Sequence, residues 1–144
     1  MSVRRRYMFP MDESETTQPI ADAFSSGAYH YRLQAGVLLQ LHRDSEAITR
    51  VHKPLGTKII QVESLTSGIV VREDYYRFPR GDSNLYLLDY AFRLLWRAEL
   101  PTPTDSYANP VHDYGDHLLC ASWECWSCHI CPTTGRILTK EWTK

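Results

Sequence analysis

From Ala28 onward the chain sets short apolar runs, rich in Val, Ile, Leu, Tyr and Trp, between breaks at Gly, Pro, Asp or Ser about every eight to twelve residues. That spacing predicts an all-β domain, because a strand of four to eight residues ends wherever a turn-forming residue interrupts the ladder. No stretch shows the 3.6-residue period of a long amphipathic helix. Residues 10–27, "PMDESETTQPIADAFSSG", are polar and acidic with two prolines. They predict a flexible N-terminal segment over residues 1–27, with a short helical turn at Ile20–Phe24 and the fold starting near Ala28.

The apolar pattern repeats. "AGVLLQLHRDSEAIT" (35–49), "DSNLYLLDYAFRLLW" (82–96) and "ECWSCHICPTTGRIL" (124–138) align so that Gly36, Ser83 and Cys125 share one slot, spaced 47 and 42 residues apart. Each segment opens with two turn residues (Ala35-Gly36, Asp82-Ser83, Glu124-Cys125). An alternating strand follows, with inward positions expected at Leu39 and Leu41, Tyr86 and Leu88, Cys128 and Ile130. A second turn then leads to another strand. The period matches one four-stranded propeller blade of roughly 40–50 residues. The predicted fold is all-β: antiparallel sheets from three blade-like repeats, about 28–64, 65–103 and 104–144, in a partial propeller or a sandwich-like arrangement.

A strand, an L-D-x-x-T-G-like turn and a strand ending near Trp make "LLDYAFRLLWRAEL" and "HICPTTGRILTKEW" resemble the repeat of quinoprotein-type (PQQ-like) β-propellers over residues 28–144. The repeat aspartate is present as Asp89, with His42 and Cys131 in its place elsewhere; the T-G pair is Thr134-Gly135 and the repeat tryptophan Trp96. The resemblance implies the propeller fold. These departures mean that neither cofactor-binding residues nor dehydrogenase activity is expected from it, and no cofactor is assigned.

Sixteen basic residues against seventeen acidic ones leave a formal charge of −1, so no global field draws nucleic acid or a membrane surface. The arginines at positions 4–6 are followed by "YMFPMDESETT" instead of an apolar run. The expectation is therefore a cytoplasmic protein without a membrane span. Its four cysteines, crowded into residues 120–131, would remain reduced there.

"CASWECWSCHIC" carries metal-like spacing in Cys125, Cys128 and Cys131. A two-residue turn at Glu124-Cys125 would pair Cys120 with His129 and Trp123 with Trp126, and would send Cys128 and Cys131 to opposite faces. Small apolar thiols packed in a sheet are the expected reading, with a Zn or Fe site at Cys120, His129 and Cys131 as the alternative. His112 and His117, flanking a turn at Tyr114-Gly115-Asp116, could share a ligand.

The insertion "EDYYRFPRGDS" (73–83) combines Tyr75, Tyr76 and Phe78 with Arg77 and Arg80, the composition of interface hot spots. With a rim around residues 105–117, including Asp105, Tyr107 and His112, it forms the expected contact surface for a protein partner. No nucleotide-binding, nucleophile-elbow or zincin motif occurs. The functional expectation is a non-catalytic protein-binding β domain, in one version an immunity-type or antitoxin-like inhibitor, with homo-oligomers conceivable. The alternatives are a metal-dependent enzyme or sensor and a single-stranded nucleic-acid binder that stacks bases on the same tyrosines.

Overall fold

The computed structural model describes residues 22–143. Its described residues form twelve strands and no helix. The first sheet holds β1 (Ala23–Ser26), β2 (Tyr29–Gln34), β3 (Val37–His42) and β4 (Ile48–His52). The second holds β5 (Ile59–Ser64), β6 (Ile69–Glu73), β7 (Leu85–Leu88) and β8 (Leu94–Arg97), and the third β9 (His112–Asp113), β10 (Leu118–Ala121), β11 (Trp126–Ile130) and β12 (Ile137–Trp142). Each sheet keeps its strands in chain order, with antiparallel neighbours. Short turns suffice for such meanders, which fits the density of turn residues along the chain.

The sheets stack as three blades around two apolar layers. Tyr31 and Leu38 of blade 1 meet Ile69, Val71, Tyr86 and Leu88 of blade 2 in one layer. Val70, Leu85, Leu87 and Trp96 of blade 2 meet Leu118, Cys120, Cys128 and Ile130 of blade 3 in the other. Blade 2 is therefore covered on both faces. Every residue of β6 and β7 is buried, and alternate side chains serve opposite layers.

The aligned segments are the third and fourth strands of each blade. Tyr86 with Leu88 and Cys128 with Ile130 face the preceding blade as expected. In β3 the residues facing blade 2 are Leu38 and Gln40, while Leu39 and Leu41 lie on the other face, half-buried and buried respectively, where no described blade precedes them. The outer strand pair of every blade carries a bulge at the same place. Register shifts between Gln40 and Leu41, Leu87 and Leu88, and His129 and Ile130 leave Thr49, Leu95 and Leu138 as the extra residues.

Two boundaries differ from expectation. Most of the lead-in 1–27, with Ile20, lies outside the described residues. Its end is ordered: Ala23–Ser26 pair with β2, so Ala23 and Phe24 are extended and not part of a helical turn. Phe24 stacks on Tyr31 at 5.0 Å between ring centroids, which fixes that strand to the first layer. The first repeat also ends earlier than residue 64, since β5 belongs to the second sheet. Buried Glu73 sets the division by accepting the N–H groups of Leu55, Gly56 and Thr57 in the β4–β5 connection at 2.6–2.9 Å.

Candidate functional site

The β10–β11 turn decides what the cysteines can do. The N–H of Ser122 donates to Trp126 O at 2.8 Å and that of Cys125 to Ser122 O at 3.1 Å, closing a three-residue loop with Cys125 at φ 75°. A residue in the left-handed region at the third loop position is the usual way to close such a hairpin. The register therefore moves one residue from that of a two-residue turn: Cys120 pairs with Cys128, and Leu119 with His129. Cys120 and Cys128 point together into the core, while His129 points to the opposite face.

Cys131 sits in the following turn, and hydrogen bonds from the Thr134 hydroxyl and the Thr133 and Thr134 N–H groups lower its thiol pKa. Cys120, His129 and Cys131 thus do not converge, which overturns the alternative metal site. Among the described residues, no three His, Cys, Asp or Glu side chains come close enough to hold an ion. Burial pushes the Cys120 thiol up to about 12, with nearby Arg72 pulling the other way, and burial raises Cys128 too. Both remain neutral packing groups.

The two histidines of the β9–β10 hairpin are diagonal neighbours on one face of it. His112 lies across from Leu119, whereas His117 faces Tyr114 over the Gly115-Asp116 turn. The His117 ring stacks between Tyr114 and His129 at 5.2 and 4.6 Å, and its Nδ1 lies 2.7 Å from Asp116 Oδ1.

The residues that do converge lie at the end of the sheets carrying the β2–β3, β6–β7 and β10–β11 turns. The 73–83 insertion is anchored there by Asp74, whose N–H donates to Lys58 O and whose carbonyl accepts the Thr57 hydroxyl at 2.6 Å. Phe78 lies over Gly56, where a Cβ would stand only 2.7 Å from its ring, so glycine permits the close approach. These anchors aim Tyr75 and Tyr76 outward. Tyr75 stacks on Trp123, with centroids 5.3 Å apart and planes 26° from parallel. Arg77, at φ 67°, holds its guanidinium 5.5 Å from the centre of the Tyr76 ring. Tyr76 and Trp123 are 65% and 61% exposed, and Arg80 is exposed too.

Trp123 is fixed from below. Its backbone N–H donates to Ser106 O, Asp105 Oδ1 accepts the backbone N–H groups of Ser106 and Glu124, and the Glu124 carboxylate accepts the hydroxyls of Thr102 and Thr104. Asn84 clamps Tyr107 through both its N–H and its carbonyl. Asp105 and Tyr107 are thus 4% and 0% exposed and support the rim from inside instead of presenting themselves on it. His112, displaced toward the opposite end on β9, is exposed but not part of the patch. The sequence pairing of Trp123 with Trp126 conceals the patch, since Trp126 instead lies opposite Trp142 and under Lys140. Alongside runs an open groove of about 390 Å³, lined by Asp82, Ser83, Arg97, Leu100 and Pro103 among others.

Several solved structures share this architecture. The chain is similar to the computationally designed Ika8 protein at TM-score 0.61 and 10% identity, over 85% of this chain and 36% of that one. It is similar to the designed Ika4 protein at TM-score 0.61 and 12% identity, over 88% and 75%. BamB from Moraxella catarrhalis follows at TM-score 0.57 and 12% identity, over 80% and 33%. The chain thus spans about a third of the length of Ika8 and BamB. At such identities the likeness is one of fold, and it makes the three sheets propeller-like blades. No family model and no curated protein matches the sequence. No helix among the described residues is long and apolar enough to cross a membrane.

Proposed function

We propose that the chain is a non-catalytic protein-binding module whose contact surface is the aromatic rim of Tyr75, Tyr76, Arg77 and Trp123, with Phe78 and Arg80 at its margin. The observation that carries this reading is the Tyr75–Trp123 stack, whose Trp123 is exposed yet held from behind by buried Asp105 and half-buried Glu124. Rigid rings and a stacked guanidinium lose little conformational freedom on binding, so more of the contact energy survives as affinity. An immunity-type or antitoxin-like inhibitor acting in the cytosol is one form of this reading. Kinship with the quinoprotein-type repeat is a further part of the proposal, supported by Trp96 and Thr134-Gly135.

Photocrosslinking from position 76, in the cells that make the protein, tests it. One protein adduct is expected. Trp123→Ala should weaken the complex by about 2 kcal/mol or more, as for a hot-spot aromatic. Its effect on folding should stay within about 0.5 kcal/mol, as for an exposed residue. Normal binding by both Tyr76→Ala and Trp123→Ala would reject the surface. An adduct to single-stranded nucleic acid, with retention falling steeply as salt rises, would favour base stacking on the same rings.

A further inference from the structure

Blade packing in this chain follows one rule, used twice. The front of a blade, the face toward the next blade in sequence, donates a side-chain N–H to the carbonyl of the residue just past the β-turn cap of that next blade. Gln40 Nε2 reaches Tyr90 O at 2.8 Å, and Trp96 Nε1 reaches Pro132 O at 3.0 Å. The back of the receiving blade supplies apolar third-strand residues, Tyr86 with Leu88 and Cys128 with Ile130.

The apolar back and the donor positions of this contact occur once more, at the two ends of the stack. On the back of blade 1, half-buried Leu39 and buried Leu41 fill the places of Tyr86 and Leu88, and Val51 and Ile48, opposite them in register, are 49% and 57% exposed. On the front of blade 3, His129 and Thr139 fill the places of Gln40 and Trp96, are paired with each other, and keep side-chain donors. The charges match as well. His52 at the front of blade 1 reaches the Tyr86 hydroxyl at 2.8 Å. Glu141 occupies the equivalent front position on blade 3, and Leu39 is the equivalent of Tyr86. The same packing step therefore brings Glu141 to Leu39, whose register partner is the exposed Arg32.

We propose that the front of blade 3 docks on the back of blade 1 of a second copy, so that two chains close head to tail into a six-bladed ring. In that ring Glu141 faces Arg32 of the other copy, and His129 or Thr139 donates to the Arg43 carbonyl. A second copy is the occupant because each chain carries, at its two ends, the apolar third strand and the donor positions of a contact it already makes twice, together with the opposite charges of Arg32 and Glu141. Closing the ring covers both terminal blade faces at once, the solution that repeat folds otherwise reach with polar caps. This surface is separate from the aromatic rim, so either proposal can fail without the other.

Sedimentation of the full chain across the micromolar range is the test. A particle of twice the chain mass is expected. Glu141→Arg or Arg32→Glu alone should weaken it about tenfold or more, and the two together should restore it. Val51→Glu, at an exposed position, should also give monomers while the fold is retained. A monomer at every concentration would overturn the proposal. So would a larger or open-ended assembly, or a dimer indifferent to both charge reversals.

Discussion

Three different side chains do the same job in the turns between third and fourth strands. The Asp89 carboxylate accepts the N–H groups of Ala91 and Arg93 at 2.9 and 2.8 Å and the Arg93 Nε at 2.8 Å. Desolvation pushes its pKa up, but the bonds from Arg93 and Ala91 together outweigh it and hold the carboxyl below its usual value. His42 Nδ1 accepts from the Asp44 N–H at 3.3 Å in the equivalent turn of blade 1. Cys131 receives the Thr133 and Thr134 donors in blade 3, and donors of that kind stabilise a thiolate more than a thiol. The sign follows directly. A lowered pKa means more thiolate at neutral pH, so labelling of Cys131 by a thiol reagent in the folded protein should have a pH midpoint below the ordinary thiol value of about 8.5. Thr134→Val should move that midpoint upward. Cys120 and Cys128 should label only on unfolding, and mass spectrometry of the labelled peptides distinguishes the sites.

At the scale of elements, the joint between blades 1 and 2 rests on one buried carboxylate. Glu73 accepts three backbone N–H groups from the β4–β5 connection and the Tyr86 hydroxyl at 2.5 Å, while His52 Nε2 lies 2.8 Å from that hydroxyl. Glu73→Gln would turn an amide donor toward groups that are themselves donors. Unfolding in denaturant should show a loss of about 3 kcal/mol or more, the range for breaking a buried charged hydrogen-bond set. Nothing in the local pattern around Glu73 reveals this role, because its partners lie 13 to 18 residues away in the chain. The strands were legible for the opposite reason: alternation and turn residues are local, and the alignment of Leu39, Tyr86 and Cys128 picked out equivalent positions in three blades. The sequence predicts the β10–β11 hairpin one residue out of register because Cys125, without glycine's freedom, gives no sign that it adopts a left-handed conformation. That single residue hid Trp123 from the sequence reading of the rim.

For the whole molecule, covering both faces of only the middle blade makes stability uneven. Hydrogen exchange reports the free energy needed to open each amide, and that energy rises with the apolar area that must be exposed to reach it. β6 and β7 lie between two apolar layers, whereas β4 and β12 are largely exposed along the outside and β9 spans two residues. The amides of β6 and β7 should therefore exchange only through global unfolding, with a denaturant dependence equal to that of the equilibrium transition. Those of β4, β9 and β12 should exchange through smaller openings with a shallower dependence. Pairing into a ring would add a term that depends on chain concentration, because a second copy covers the back of blade 1 and the front of blade 3 only in the assembled state. Protection in β3 and β11 should then rise with concentration, while β6 and β7 gain only what the global equilibrium gains. Exchange at one common rate across all twelve strands would mean that the blades do not open separately and that the middle blade has no privileged stability.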